Sequence, residues 1–179
     1  IEKLQIRVLL RTQATAETIR ALEPDSVILA TGSTPSRTGY QRNLPHIDTL
    51  PGHDQENVCT VHDVLEGKVV PGNRVLLLDD INGWWPASGT AQHLALQRHQ
   101  VTVVTAAEKA CAALDFSQAG ETMRERFMKT GVEVMTATAL LSWQGNTAEL
   151  LNLYTGDKET RDFDSLVLAT TNTSQDALT

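Results

Sequence analysis

Two adjacent carboxylates, Asp79 and Asp80, stand where an apolar run (RVLLL, 74–78) gives way to a turn and then a helix-like stretch. A strand, a glycine-rich turn and a helix together form a receptor for diphosphate. Glycines bend the chain tightly and bring backbone N–H groups to the anion at the helix N-terminus. Here the turn reads Asp79-Asp80-Ile81-Asn82-Gly83, and the helix begins about three residues later than in such turns. A carboxylate roughly 6 Å from a phosphate charge costs about 3 kcal/mol at an effective dielectric of about 20. Two of them outweigh the roughly 0.3–1 kcal/mol that a helix terminus contributes. A conventional diphosphate is disfavoured unless the carboxylates turn away or a cation intervenes. Three readings stay open. The pair accepts hydrogen bonds from the loop and caps the helix, with Trp84 and Trp85 filling the groove. It forms a nucleotide site of altered chemistry. Or it holds a metal, for which a third ligand is missing.

Two other strand exits echo one another, DSVILATGSTP at 25–35 and DSLVLATTNTS at 164–174. Each ends an apolar run in Ala-Thr, a sheet edge where a dinucleotide can lie. The first keeps its glycine, so Thr31 and Gly32 are candidates to line a nucleotide. In the second, Thr170 is followed by Thr171 where a glycine is expected, which weakens close backbone approach. Thr105 closes the run VTVVT at 101–105. That position selects NAD through an acidic residue or NADP through a nearby Arg. Thr105, Ala106 and Ala107 express neither preference, and Glu108 lies slightly beyond. The cofactor-binding candidates are thus Thr31, Gly32, Asp79, Asp80, Gly83, Gly89, Thr105 and Thr170, with NAD(P)H or ADP/FAD as the cofactor. No catalytic residue and no metal ligand is assigned. His46, His53, His62, His93 and His99 lack ligand spacing. Ser33, Ser36 and Ser88 lack the glycine elbow of a nucleophile.

The elements that must position these residues follow from periodicity. IRVLL at 6–10 and VILA at 27–30 are strand-like and flank a helix that Thr15 caps over 16–22, which Pro24 ends. From Gly32 to His53 the pattern dissolves into loop residues. A short helix is expected over Val61–Leu65, strands over 74–78 and 101–105, and a helix over 87–98. Ser117 is expected to cap a helix that runs to Thr130 and ends on Gly131, before a strand over 132–136. Segments 140–143, 148–153 and 160–163 form an antiparallel meander with turns at Gly145-Asn146 and Gly156-Asp157, and 166–169 returns as a parallel strand. Alternating strands and helices imply an α/β fold, a doubly wound parallel sheet with a small antiparallel meander.

The 179 residues suffice for one large domain or two small lobes, and 41% apolar with 21% charged residues is ordinary for a globular chain. A net charge of −7 argues against a nucleic-acid-binding surface, which needs a clustered basic footprint. No apolar run approaches the roughly 18 residues of a membrane span. The two cysteines, Cys59 and Cys111, have no C-x-x-C spacing, which favours reduced thiols and a cytoplasmic setting. The first residue, Ile1, already lies in a strand-like run, so the chain reads as a piece of a longer polypeptide.

The order VILATG, long link, RVLLLDD, helix, HQVTVVT, GVEV, meander, VLAT resembles the flavoproteins with two dinucleotide-binding domains. More narrowly it is similar to the C-terminal part of the trimethylamine dehydrogenase and 2,4-dienoyl-CoA reductase group, with LLLDDINGWW at 76–85 nearest the former branch. The resemblance covers most of residues 4–171 and rests on order and spacing. It implies a Rossmann-like three-layer sandwich plus part of a second nucleotide-binding lobe. Residues 1–56 would be the trailing part of an FAD/ADP-binding-like domain with a long linker, and 57–179 an inserted NAD(P)-binding-like domain. FMN and a 4Fe–4S cluster would belong to the part of the parent chain absent here, since two cysteines cannot build a four-thiolate cluster. The expected function is the nucleotide-binding-domain segment of a flavin-dependent oxidoreductase, not catalytic alone. The alternative is a scaffold that binds no cofactor. The partner implied is the rest of the parent flavoprotein, with a homo-oligomer left open.

Overall fold

A computed structural model describes residues 2–178. The chain divides into two compact units, residues 1–33 with 174–179, and 34–173. The linker residues 34–56 lie in the second unit. Leu50 is fully buried beside Trp143 and Leu140. Gln41 exchanges two hydrogen bonds with the Leu140 backbone, at 2.7 and 2.9 Å. The Trp143 indole N–H donates to Asn57 at 3.0 Å.

The first unit holds helix α1 (Ala16–Arg20), with Thr15 in a reciprocal capping box with Thr18. The strands expected at 6–10 and 27–30 do not form: neither run is assigned as a strand, and their apolar side chains are exposed. A strand is held by a neighbour that takes its N–H and C=O groups. Among the described residues no ladder includes either run. Short strands β1 (Ser33–Pro35) and β10 (Asn172–Ser174) pair in a sheet of their own.

The second unit is built on a five-stranded parallel sheet. In chain order its elements are β2 (Val58–Thr60), α2 (Val61–Leu65), β3 (Arg74–Asp79), α3 (Trp85–Leu96), β4 (Gln100–Thr105), α4 (Gly120–Thr130), β5 (Glu133–Met135), then β6 (Thr138–Gln144), β7 (Thr147–Asn152), β8 (Lys158–Asp162) and β9 (Ser165–Ala169). The sheet order is β2-β9-β3-β4-β5, and β6-β7-β8 form a separate antiparallel sheet. Strand periodicity divides the core. Val75, Leu77, Val101, Val103 and Val167 face the helices and meet Ala91, Leu94, Met123 and Phe127. Leu76, Leu78, Val104, Leu166 and Leu168 face the antiparallel sheet and meet Leu140, Trp143, Ala148 and Leu150. With both faces covered, the central strands read as unbroken apolar runs. Fully burying each such leucine contributes about 2 kcal/mol.

Helix α4 begins at Gly120 with Ala119 as its N-cap, so Ser117 does not cap it. Ser117 instead closes a 3-10 turn, Ala112–Ser117, and its hydroxyl donates to the Leu114 carbonyl at 3.0 Å. Ser117 lies two residues before the N-cap position, too early in the chain for its hydroxyl to serve as the N-cap side chain. Gly131 ends α4 at φ 74°, as its position requires.

Candidate functional site

Strand β3 lies between β4 and β9, so its last residue arrives at the carboxyl edge of the sheet already flanked on both sides. Asp79 pairs in register with Thr105 and with Ala169. Its side chain is turned inward: the residue is 3% exposed, and its carboxylate accepts the Ile81 N–H at 3.0 Å. The Thr105 hydroxyl and the Gly83 N–H also favour its charged form. Burial pushes the Asp79 carboxyl above its ordinary value, and these groups offset part of that rise.

Asp80 goes the other way. Its backbone N–H continues the sheet to the Ala169 carbonyl at 3.1 Å, while its carboxylate meets Arg42. The Arg42 backbone N–H reaches one oxygen at 3.0 Å, Nε reaches the other at 3.1 Å, and the guanidinium also donates to the Asp80 carbonyl. Burial drives this carboxyl upward too, and Arg42 recovers part of the rise. The two neighbouring acids therefore have separate partners, and each is an internal acceptor.

The glycine of the turn faces protein. Gly83 sits at φ 69°, and a Cβ there would lie 2.5 Å from Cys111 Cα and 2.7 Å from its N. Cys111 is itself left-handed at φ 55° and opens the 3-10 turn. The Ala113 N–H bonds to the Asn82 carbonyl at 2.8 Å, and the Ser88 hydroxyl donates to the Gly83 carbonyl at 2.6 Å. Ser88 also lies 3.3 Å from Cys111 Sγ. Trp84 and Trp85 are 41% and 46% exposed, Trp84 lines a cavity at the sheet edge, and the Cys111 backbone lies against the open side of Gly83. Trp84 is the N-cap of α3 without a side-chain cap, and Pro86 follows in the first turn.

The structure thus brings together Asp79, Gly83 and Thr105, and separates Asp80 from them. Gly89 lies within α3, with nothing near the space a Cβ would take. Thr170 lines a cavity of about 270 Å³ with Ile81, Trp84, Pro86 and His62, and its buried hydroxyl has no hydrogen-bond partner among the described residues. A larger cavity of about 620 Å³ lies beyond β4 between Asn82, Glu108, Lys109 and Phe116. Thr31 and Gly32 belong to the first unit, where the Thr31 hydroxyl donates to the Gln175 carbonyl and the Gly32 carbonyl accepts the Gln175 N–H at 3.0 Å. Arg42, Ser88 and Cys111 were not legible as parts of the turn. Arg42 is a lone cation in a loop, and Cys111 acts through its backbone, which no residue type announces.

Both thiols are buried and unpaired, and burial pushes Cys59 up to about 11. The family profile of the pyridine nucleotide-disulphide oxidoreductases matches residues 4–178. The chain belongs to that family. It is similar to dimethylamine dehydrogenase of Hyphomicrobium sp. (strain x), 26% identical over 184 residues, which cover 92% of this chain and 24% of the relative. The N,N-dimethylglycine/sarcosine dehydrogenase of Chromohalobacter salexigens is 30% identical over 173 residues, covering 94% of this chain and 24% of the relative. Among solved structures, 6-hydroxypseudooxynicotine amine oxidase from Pseudomonas geniculata N1 superposes with a TM-score of 0.86 at 28% identity, over 94% of this chain and 25% of that one. Histamine dehydrogenase from Rhizobium sp. 4-9 shares the fold, with a TM-score of 0.82 at 22% identity over 93% of this chain and 24% of that one. The chain spans about a quarter of the length of the curated relatives it matches. It is a nucleotide-binding-type domain of the kind found in flavin-dependent dehydrogenases, a fold class of FAD/NAD(P)-type binding. No helix among the described residues is long and apolar enough to cross a membrane.

Proposed function

We propose that this chain is the nucleotide-domain segment of a larger flavin-dependent oxidoreductase that acts on N-methylated amines, and that it is not catalytic alone. The observation that carries this reading is the fate of its thiols. A disulphide reductase works through a paired, accessible dithiol. Cys59 and Cys111 are instead lone and buried, and burial raises the pKa of each. The redox centre then lies elsewhere in the parent polypeptide, and this domain supplies a rigid sheet that the rest of the flavoprotein packs against. The substrate class is supported by the relatives, whose names specify dimethylamine, dimethylglycine with sarcosine, and N-methylproline.

Dye-linked oxidation of dimethylamine and sarcosine tests the reading. The isolated chain is expected to reduce no acceptor with either amine or with NADH. A polypeptide that joins it to an upstream flavin-bearing barrel is expected to turn over at least one of the amines. Turnover by the isolated chain would overturn the proposal.

A further inference from the structure

The fold class implies a dinucleotide on the β3–α3 turn, and the residues of this turn do not fit its diphosphate. We infer that the chain fills that position with its own groups: the Asp79 carboxylate takes the place of the anion, and the Cys111 backbone takes the space beside the glycine. This domain would then exclude NADH, NADPH and free diphosphate from the turn.

The first part of the argument concerns donors. A diphosphate at such a turn is held by backbone N–H groups and the adjoining helix terminus. Here the Ile81 N–H donates to the Asp79 carboxylate at 3.0 Å, and the Thr105 hydroxyl and the Gly83 N–H also favour its charged form. Pro86, in the first turn of α3, contributes no N–H. The carboxylate is almost wholly enclosed, so it does not swing into solvent to vacate these donors.

The second part concerns space and does not depend on charge. Glycine in a dinucleotide turn lets the ligand approach the backbone closely. At Gly83 the open side is taken by Cys111, whose Cα lies 2.5 Å from where a Cβ would be. The seam is fastened on both sides, by Ala113 N–H to the Asn82 carbonyl and by the Ser88 hydroxyl to the Gly83 carbonyl. Asp80 takes no part, because its carboxylate is held by Arg42. A phosphate brought to about 6 Å from an ionised Asp79 loses about a hundredfold in affinity at an effective dielectric of about 20.

The inference goes beyond the proposed amine oxidation and is tested apart from it. Trp84 and Trp85 border the turn, so their fluorescence reports occupancy, with calorimetry as a second readout. The full chain is titrated with NADH and separately with inorganic diphosphate, each to several millimolar. The expected result for the native chain is no saturable binding of either. Asp79→Asn keeps the shape and removes the charge, and it is expected to bind inorganic diphosphate saturably within that range while still not binding NADH, because the Cys111 backbone remains beside Gly83. Asp79→Ser serves if the first variant does not fold, as judged by circular dichroism. Asp80→Asn is expected to gain nothing. Sub-millimolar binding by the native chain would overturn the inference. So would folded Asp79 variants without a gain, or an Asp80 variant that gains as much. Amine turnover by the longer polypeptide is read independently, so its failure leaves this result standing.

Discussion

Two runs of this chain are nearly the same string, IRVLL at 6–10 and RVLLL at 74–78, yet only the second is a strand. The run at 74–78 opens β3, which pairs with β4 on one side and β9 on the other, and Leu77 is 0% exposed. The run at 6–10 pairs with nothing among the described residues, and Val8 is 48% exposed. A second pair repeats the contrast. VILA at 27–30 stays irregular, while LVLA at 166–169 is the body of β9. β-Propensity expresses fit to a pleated, packed surface, so identical residues form a strand only where neighbours exist. The difference is one of surroundings.

Truncating the two runs should break them apart most clearly. Leu77→Ala is expected to lower stability by about 2–5 kcal/mol, because its cavity lies in a packed layer. Val8→Ala is expected to change it by no more than about 0.5 kcal/mol. Urea denaturation of both variants measures the contrast, and equal losses would mean that residues 6–10 are buried in solution. A smaller effect separates the glycines that follow the two regions. Gly83 and Gly32 are both left-handed, at φ 69° and 77°, but only Gly83 has backbone against its open side. Gly32→Ala should cost about 1 kcal/mol from its backbone angle alone. Gly83→Ala adds a clash with Cys111 and should cost about 3 kcal/mol, read from thermal melts of the two variants.

The smallest effect concerns pH. Burial raises the folded-state value of Asp79 above its ordinary 3.8, so the folded chain binds a proton more tightly than the unfolded one. Stability contributed by this group therefore falls as pH rises from 3.8 through the raised value. Asp63 opposes it. Burial alone would raise its value, but the Thr60 N–H and hydroxyl together with Arg37 hold it below 3.8, so its contribution is present above 3.8 and lost as pH falls through the lowered value. Asp79→Asn should remove the first trend and leave the second, so denaturation midpoints of the variant should vary less above pH 3.8. An unchanged pH profile would show that Asp79 does not titrate with folding.

Much of the second unit was legible because its cues are local. The apolar runs of β3 and β4, the turn at Gly145 and the left-handed Gly131 each announce themselves within a few residues. The candidate site was legible only in part. The sequence marked Asp79 and Asp80 as an anomaly at a strand exit, but offered no means of separating their roles. Arg42 lies 38 residues from Asp80, and Cys111 meets Gly83 through its backbone.

The amino-acid string alone determined the parallel α/β order, the apolar faces and the unusual acidic turn, since these follow from periodicity and residue chemistry over short spans. Only the tertiary structure decided which strand-like runs became strands and where each carboxylate turned. Those outcomes depend on groups brought together from distant parts of the chain, where a neighbour's hydrogen bond and excluded volume select among conformations that local preference leaves equal.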